Sequence, residues 1–206
     1  MLIIGICGAS GSGKSTLAEE LERKIQKPCV LLKQDSYYKD HPDMDFAQRE
    51  RINYDEPGAF EHAELTGDLQ ALRDGLPITR KEYDYKMHRR CDSTGRLIHP
   101  ADVVLLEGIH VFYDAAVRDQ LDFKIFIQVD PDICLLRRVQ RDIVERGRHV
   151  DSVARQYMDS VKPMFERYIR NYVEYADLIV ARGGKNARIV DILAFYINSG
   201  MVKPEA

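Results

Sequence analysis

The segment Gly8-Ala9-Ser10-Gly11-Ser12-Gly13-Lys14-Ser15-Thr16 constrains this chain more than any other. It satisfies G-x-x-x-x-G-K-[ST] at every fixed position. An apolar run, Ile3-Ile4-Gly5-Ile6-Cys7, precedes it, and Leu17, Leu21 and Ile25 follow on one helical stripe. A strand is therefore expected to enter a glycine-rich turn that opens a helix. Glycines permit the tight turn and bring several backbone N–H groups round to one point, and the positive end of the helix dipole adds to them. Such a cradle suits phosphate oxygens. Lys14 is placed to reach the β- and γ-phosphates, Ser15 to ligate magnesium, and Thr16 to sit beside the α-phosphate. These nine residues are predicted to hold a nucleoside triphosphate with Mg2+.

The rest of the chain alternates short apolar runs with longer amphipathic segments. The pattern predicts strands over 2–7, 29–33, 102–106, 123–129 and 178–180. Helices are predicted over 14–26, 62–73, 115–120, 132–145, 153–175 with a break at Pro163, and 187–197. The fold class is α/β, a three-layer P-loop NTPase fold with a parallel sheet of about five strands. Its 206 residues suit one domain. An excursion over about 35–100, rich in proline, interrupts the alternation and is expected to carry the substrate site. Within it, 78–83 and 96–99 are expected to pair as a β-hairpin flap spanning 77–99. A helical lid is expected over about 137–175.

Composition narrows the function. Thirty Lys and Arg against 33 Asp and Glu give a formal net charge of −3, with no general attraction to nucleic acid or anionic lipid. The longest apolar runs are strand-sized, so no membrane segment is expected. Met1-Leu2-Ile3-Ile4-Gly5 has neither a basic n-region nor a cleavage pattern. The four cysteines, Cys7, Cys29, Cys91 and Cys134, are scattered without Cys-x-x-Cys spacing, which argues against zinc and disulfides. A reducing cytoplasm fits all of this.

Two classes remain: a switch that hydrolyses nucleotide, and a kinase with a bound acceptor. A guanine-reading switch needs Asn-Lys-x-Asp, and the chain contains no Asn-Lys pair. A kinase needs a base, an acceptor pocket and cations over the transferring phosphate. The second strand runs into Asp35 and the third into Glu107, both at the carboxyl edge where α/β sheets bind ligands. Either carboxylate can take a proton or hold magnesium. Arg137, Arg138 and Arg141 occupy one face of the fourth amphipathic segment, and Leu135, Leu136, Val139 and Ile143 another. Arg146 and Arg148 flank Gly147. Guanidinium groups so clustered can clamp phosphates.

The chain resembles the uridine–cytidine kinase family over almost its whole length. The matching stretches are 8–16, 34–38, Asn53-Tyr54-Asp55-Glu56-Pro57, Tyr83-Asp84-Tyr85 with His88, 102–109, 137–148, Val161-Lys162-Pro163 and 175–186. Asp35-Ser36-Tyr37-Tyr38, Glu107-Gly108-Ile109 and Glu145-Arg146-Gly147-Arg148 are particular to that branch. The resemblance implies that Asp35 activates a nucleoside 5′-hydroxyl and that Ser15, Asp35 and Glu107 surround magnesium. It implies that Asp55, with Arg138 and Gln156, grips the ribose 2′- and 3′-hydroxyls. Tyr83, His88 and Arg148 would read the pyrimidine, Tyr54 would form an aromatic wall, and Tyr38 would line the same pocket. Lys14, Arg141 and Arg146 would stabilise the moving phosphoryl group, and 182–186 would lie near the nucleotide base. Implied too are ATP or GTP as donor, UMP and CMP as products, and a homotetramer. The chain departs from the family at Glu56, where His is frequent, at Gln128, where Asp is common, and at Ala181, where Pro is frequent. The last two leave ATP or GTP preference open. A related kinase for ribulose 5-phosphate or pantothenate, and the acceptor-free switch, remain as alternatives.

Overall fold

In parallel sheets both faces are covered, so central strands read as unbroken apolar runs. Leu2–Gly8 (β1) is such a run, buried at every position. The computed structural model describes residues 1–92 and 95–201. In it the later strands are β2 (Cys29–Lys33), β3 (Ile78–Thr79), β4 (Tyr83–Asp84), β5 (Arg89–Arg90), β6 (Leu97–Ile98), β7 (Val103–Glu107), β8 (Phe123–Gln128) and β9 (Leu178–Ala181). β2, β7, β1, β8 and β9 lie side by side in that order, every pair parallel. These are the five strands expected, each displaced by no more than a residue or so.

The helices are α1 (Lys14–Lys24), α2 (Phe46–Arg49), α3 (His62–Arg73), α4 (Ala115–Arg118), α5 (Pro131–Val144), α6 (Val150–Gln156), α7 (Lys162–Arg167) and α8 (Ala187–Asn198). Successive side chains of a strand point to opposite faces. Leu2, Ile4 and Ile6 of β1 accordingly pack with Leu17 and Leu21 of α1 and with Val190, Leu193 and Ile197 of α8. Ile3 and Cys7 pack on the other side with Leu65, Leu69 and Leu72 of α3 and with Phe112 and Ile169. Helix, sheet and helix make the three layers. Each large aliphatic side chain so buried contributes about 1.5–3 kcal/mol. Cys7 belongs to this core, and burial pushes its thiol up to about 12. All four cysteines are free.

Two expectations need correction. The expected pairing of 78–83 with 96–99 holds at its outer end, but the inner end pairs with a different stretch. Ile78 and Thr79 face Ile98 and Leu97, whereas Tyr83 and Asp84 face Arg90 and Arg89. Asp84 Oδ1 accepts from the backbone N–H groups of Lys86 (2.8 Å) and Met87 (3.1 Å), and this side-chain turn closes the inner pair early. Ser93 and Thr94 of the flap lie outside the described residues. The ribbon is tied to α3 by a bidentate pair between Arg90 and Glu64, at 2.7 and 3.1 Å, and by Lys81 bonding Asp68.

The second correction concerns 153–175, where the break expected at Pro163 falls at Tyr168 instead. α6 passes through a π turn at Tyr157–Val161 into α7, and a 3-10 segment, Ile169–Tyr175, follows. Pro163 has no N–H to donate, and the wide turn immediately before it accommodates the missing bond. Helical geometry is lost only at Tyr168, where φ is −123°.

Candidate active site

Gly8 ends β1, and Lys14 begins α1. The loop between them is held on two sides. A Cβ at Gly11 would stand 2.3 Å from the Cys134 carbonyl oxygen at the start of α5. One at Gly13 would stand 2.7 Å from the Gly184 nitrogen. Both glycines have positive φ, 83° and 99°, so they meet a conformational demand and a close approach together. The Arg182-Gly183-Gly184 turn thus lies directly against the phosphate loop. Ala9 accepts from Lys14 Nζ at 3.0 Å, Ser12 is buried, and Ser10 Oγ accepts from Arg138 at 2.8 Å.

β2 and β7 are adjacent, with Lys33 opposite Glu107 in register. Ser15 Oγ at the head of α1 donates to Glu107 Oε1 at 2.8 Å. Burial raises the Glu107 carboxyl, with the Lys14 charge acting against it. Asp35 follows β2 in a 3-10 turn, Gln34–Tyr37, and Tyr85 Oη donates to its Oδ2 at 2.8 Å. Burial and the Asp35 charge push the Tyr85 phenol upward, so it remains a donor.

A cavity of about 430 Å³ opens over this edge. Ser10, Lys14, Ser15 and Thr16 line its donor end, and Asp35 and Glu107 its floor. The structure brings every one of the expected acceptor-side residues to the same cavity: Tyr38, Tyr54, Asp55, Tyr83, His88 and Gln156. Arg138, Arg141, Arg146 and Arg148 roof it. Gly8, Ala9, Gly11, Ser12 and Gly13 shape the loop from behind.

The acceptor end is aromatic. Tyr38 stacks on Phe60 at 4.4 Å and meets Tyr54 edge-on at 5.2 Å. His88 sits in the flap turn with φ 49°, and its ring lies nearly parallel to Tyr54, 5.0 Å away and 15° inclined. Burial, then the charge of Arg148, lowers the His88 imidazole. It is neutral near pH 7, and its buried Nδ1 bonds to no group among the described residues. Asp55 accepts from Ser160 Oγ at 3.1 Å and lies 3.7 Å from Arg138. Gln156 Oε1 accepts from Arg138 at 3.0 Å and from Arg148.

The lid helix turns its charged side inward. The buried positions of α5 are Cys134, Arg138 and Asp142, while Leu136 is 65% exposed and Leu135, Val139 and Ile143 are half-buried. α5 covers the phosphate end of the sheet rather than its apolar face, so the usual inward stripe is displaced sideways. Asp142 is fully buried, with Arg138, Arg141, Arg146 and Arg148 all within 4 Å. Sequence reading gave Asp142 no role. Its spacing, four residues after Arg138 and four before Arg146, was the available signal. Two further contributors were also passed over. His110 bonds the Asp55 carbonyl oxygen through Nε2 at 2.7 Å and the Tyr172 hydroxyl through Nδ1 at 2.8 Å. Tyr85, quoted only as part of a motif, reaches Asp35.

The sequence matches the phosphoribulokinase / uridine kinase family over residues 3–188. The chain belongs to this family. It is 44% identical over 199 residues to a uridine kinase of Latilactobacillus sakei subsp. sakei (strain 23K), covering 96% of this chain and 93% of that one. The uridine kinase of Salmonella typhimurium (strain LT2) is 44% identical over 202 residues, covering 96% and 94%. A solved structure described as a possible uridine kinase from Bacillus stearothermophilus superposes with a TM-score of 0.60 at 16% identity, over 87% of this chain and 88% of that chain. That likeness is one of fold.

As a member of the phosphoribulokinase / uridine kinase family the chain is a kinase, acting on a small molecule with a nucleotide as phosphoryl donor. Among the described residues no three His, Cys, Asp or Glu side chains converge into an all-protein metal cage. Magnesium rarely uses one. It takes one or two carboxylates, several waters and phosphate oxygens. Ser15 against Glu107, with Asp35 on the neighbouring strand end, is a donor set of that kind. No helix among the described residues is long and apolar enough to cross a membrane.

Proposed function

We propose that this kinase transfers the γ-phosphoryl group of ATP or GTP to the 5′-hydroxyl of uridine or cytidine, giving UMP or CMP, with 1–206 acting as one kinase domain in the cytoplasm. The observation that carries the reading is the acceptor end of the cavity. A carboxylate, Asp55, sits among hydrogen-bonding partners at one side, and an aromatic slot lined by Tyr83 and by the stacked pair of Tyr54 and a neutral His88 lies at the other. A carboxylate accepts from both hydroxyls of a cis-diol. A neutral imidazole offers one donor and one acceptor nitrogen, which suits the edges of both uracil and cytosine.

Asp35 takes the 5′-hydroxyl proton as that oxygen attacks the γ-phosphorus. Ser15, Asp35 and Glu107 would hold magnesium, which supplies charge neutralisation across the phosphates. Lys14, Arg141 and Arg146 offset the charge on the moving phosphoryl group, and Arg138, Arg148 and Gln156 orient the nucleoside. Closure of the arginine-bearing lid excludes water, so the nucleoside is the acceptor. The ribulose 5-phosphate and pantothenate alternatives find no support in an aromatic slot of this kind, nor in relatives that are uridine kinases. The switch alternative leaves the slot without a purpose. A homotetramer remains part of the proposal on family resemblance.

The test is product analysis by mass after incubation with Mg-ATP, then Mg-GTP, against uridine, cytidine, adenosine, thymidine, ribulose 5-phosphate and pantothenate. UMP and CMP alone are expected. Another phosphorylated product would discard the pyrimidine slot, and nucleoside diphosphate release without product would favour the switch.

A further inference from the structure

Asp35 has two carboxylate oxygens, and they are not equivalent. Tyr85 Oη donates to Oδ2 at 2.8 Å. Tyr85 follows β4 in the flap, fifty residues along the chain from Asp35, so this bond joins flap to sheet edge. A face of the phenol ring is also occupied. The Arg146 guanidinium carbon stands 4.0 Å from the ring centroid, a cation–π distance. Tyr83 meets the same ring edge-on, with centroids 5.4 Å apart and an interplanar angle of 81°. One side chain therefore touches the flap, the lid and the sheet edge together. Tyr38 and Tyr83, Glu107 of β7 and Arg146 of the lid are further titratable or charged groups near Asp35.

We propose that Tyr85 is a positioning residue for phosphoryl transfer. Its hydroxyl fixes Asp35 by Oδ2 and leaves Oδ1 to receive the acceptor proton, while its ring seats Arg146 over the moving phosphoryl group. The inference rests on the reading of Asp35 as the base. A carboxylate in the first turn of a 3-10 segment can rotate about χ2, and a donor locked in a packed flap removes that freedom. A ring held between Tyr83 and Arg146 has little freedom of its own. The flap thereby aims the base, and the lid arginine arrives against the same surface.

The experiment is a double-mutant cycle on the full chain with Tyr85→Phe, Asp35→Asn and both together. Phenylalanine keeps the ring and the Arg146 contact, so melting temperature and both KM values should stay near wild type. Loss of one hydrogen bond to a charged group should lower kcat by about tenfold. In the Asp35→Asn background the same change should cost nothing further, because the group it acts through is already gone. A merely structural tyrosine would give equal losses in both backgrounds, and that result overturns the proposal. So does a Tyr85→Phe enzyme within about twofold of wild type beside an inactive Asp35→Asn enzyme. Near-normal turnover of Asp35→Asn alone would instead remove the base reading, and this inference with it.

Discussion

Arg138 stands 3.7 Å from Asp55, each side chain almost wholly buried. The same guanidinium donates to Ser10 Oγ in the phosphate loop at 2.8 Å and to Gln156 Oε1 at 3.0 Å. One planar fork thus ties the donor half of the cavity to the acceptor half. A lysine ammonium radiates its donors from a single nitrogen and cannot reproduce the spaced nitrogens of that fork.

Arg138→Lys should therefore impair both halves. The KM for nucleoside and the KM for nucleotide should each rise by about tenfold, an effect of one lost charged hydrogen bond apiece. Initial-rate kinetics with each substrate varied in turn would check this. A rise confined to one substrate would show that the bridge has no functional weight.

Asp55 carries the distinction between ribose and deoxyribose. Asp55→Ala should weaken uridine binding by about a hundredfold while 2′-deoxyuridine, which already lacks one hydroxyl, loses far less. Calorimetric titration of both ligands into wild type and variant measures it. Equal losses for the two would remove the cis-diol assignment.

How much of this was legible beforehand depends on distance along the chain. The five strands of the main sheet are local apolar runs, and the phosphate loop is nine consecutive residues, so both could be read directly. The inner pair of the flap could not, because Asp84 turns the chain with its own side chain before the expected strand partner arrives. The arginine cover on α5 was legible as a cluster, although periodicity alone would have turned the helix the other way. Periodicity assumes that the apolar face is the inward one, whereas a helix laid over phosphates must turn its arginines inward. His110 and Tyr85 act through partners 50 to 62 residues away, and nothing in their own neighbourhoods marks them, whereas Asp142 had only its four-residue spacing to Arg138 and Arg146.

Asp142 is the counter-charge that lets four arginines share one roof. Arg141 Nη2 lies 2.9 Å from it, Arg146 Nη1 3.4 Å, Arg138 Nε 3.5 Å and Arg148 Nη1 3.8 Å. Removing one member of a buried ionic group typically costs about 3–5 kcal/mol. Asp142→Ala should lower the melting temperature by several degrees and cut kcat as the guanidiniums splay apart. Asp142→Asn, which keeps one acceptor and the volume, should retain most of the stability and still lose turnover. Thermal melts beside kcat for the two variants separate these effects. Unchanged turnover in both would show that the arginines hold their places without it.

His110 should make stability depend on pH. The Asp55 carbonyl only accepts, so Nε2 carries the proton and Nδ1 accepts from the Tyr172 hydroxyl, which leaves a neutral ring. Burial pushes the imidazole down to about 4. In the unfolded chain it titrates near 6.5, so between these values the unfolded state binds the extra proton. The contribution is thus complete above about pH 6.5 and falls away as pH drops toward 4. From pH 7.5 to pH 5 the loss is about 2 kcal/mol. Denaturant melts at both pH values, for wild type and His110→Gln, isolate it. The wild type should lose more stability than the variant by that amount. Parallel losses would mean that His110 is protonated in the folded chain and that Asp55 is anchored in some other way.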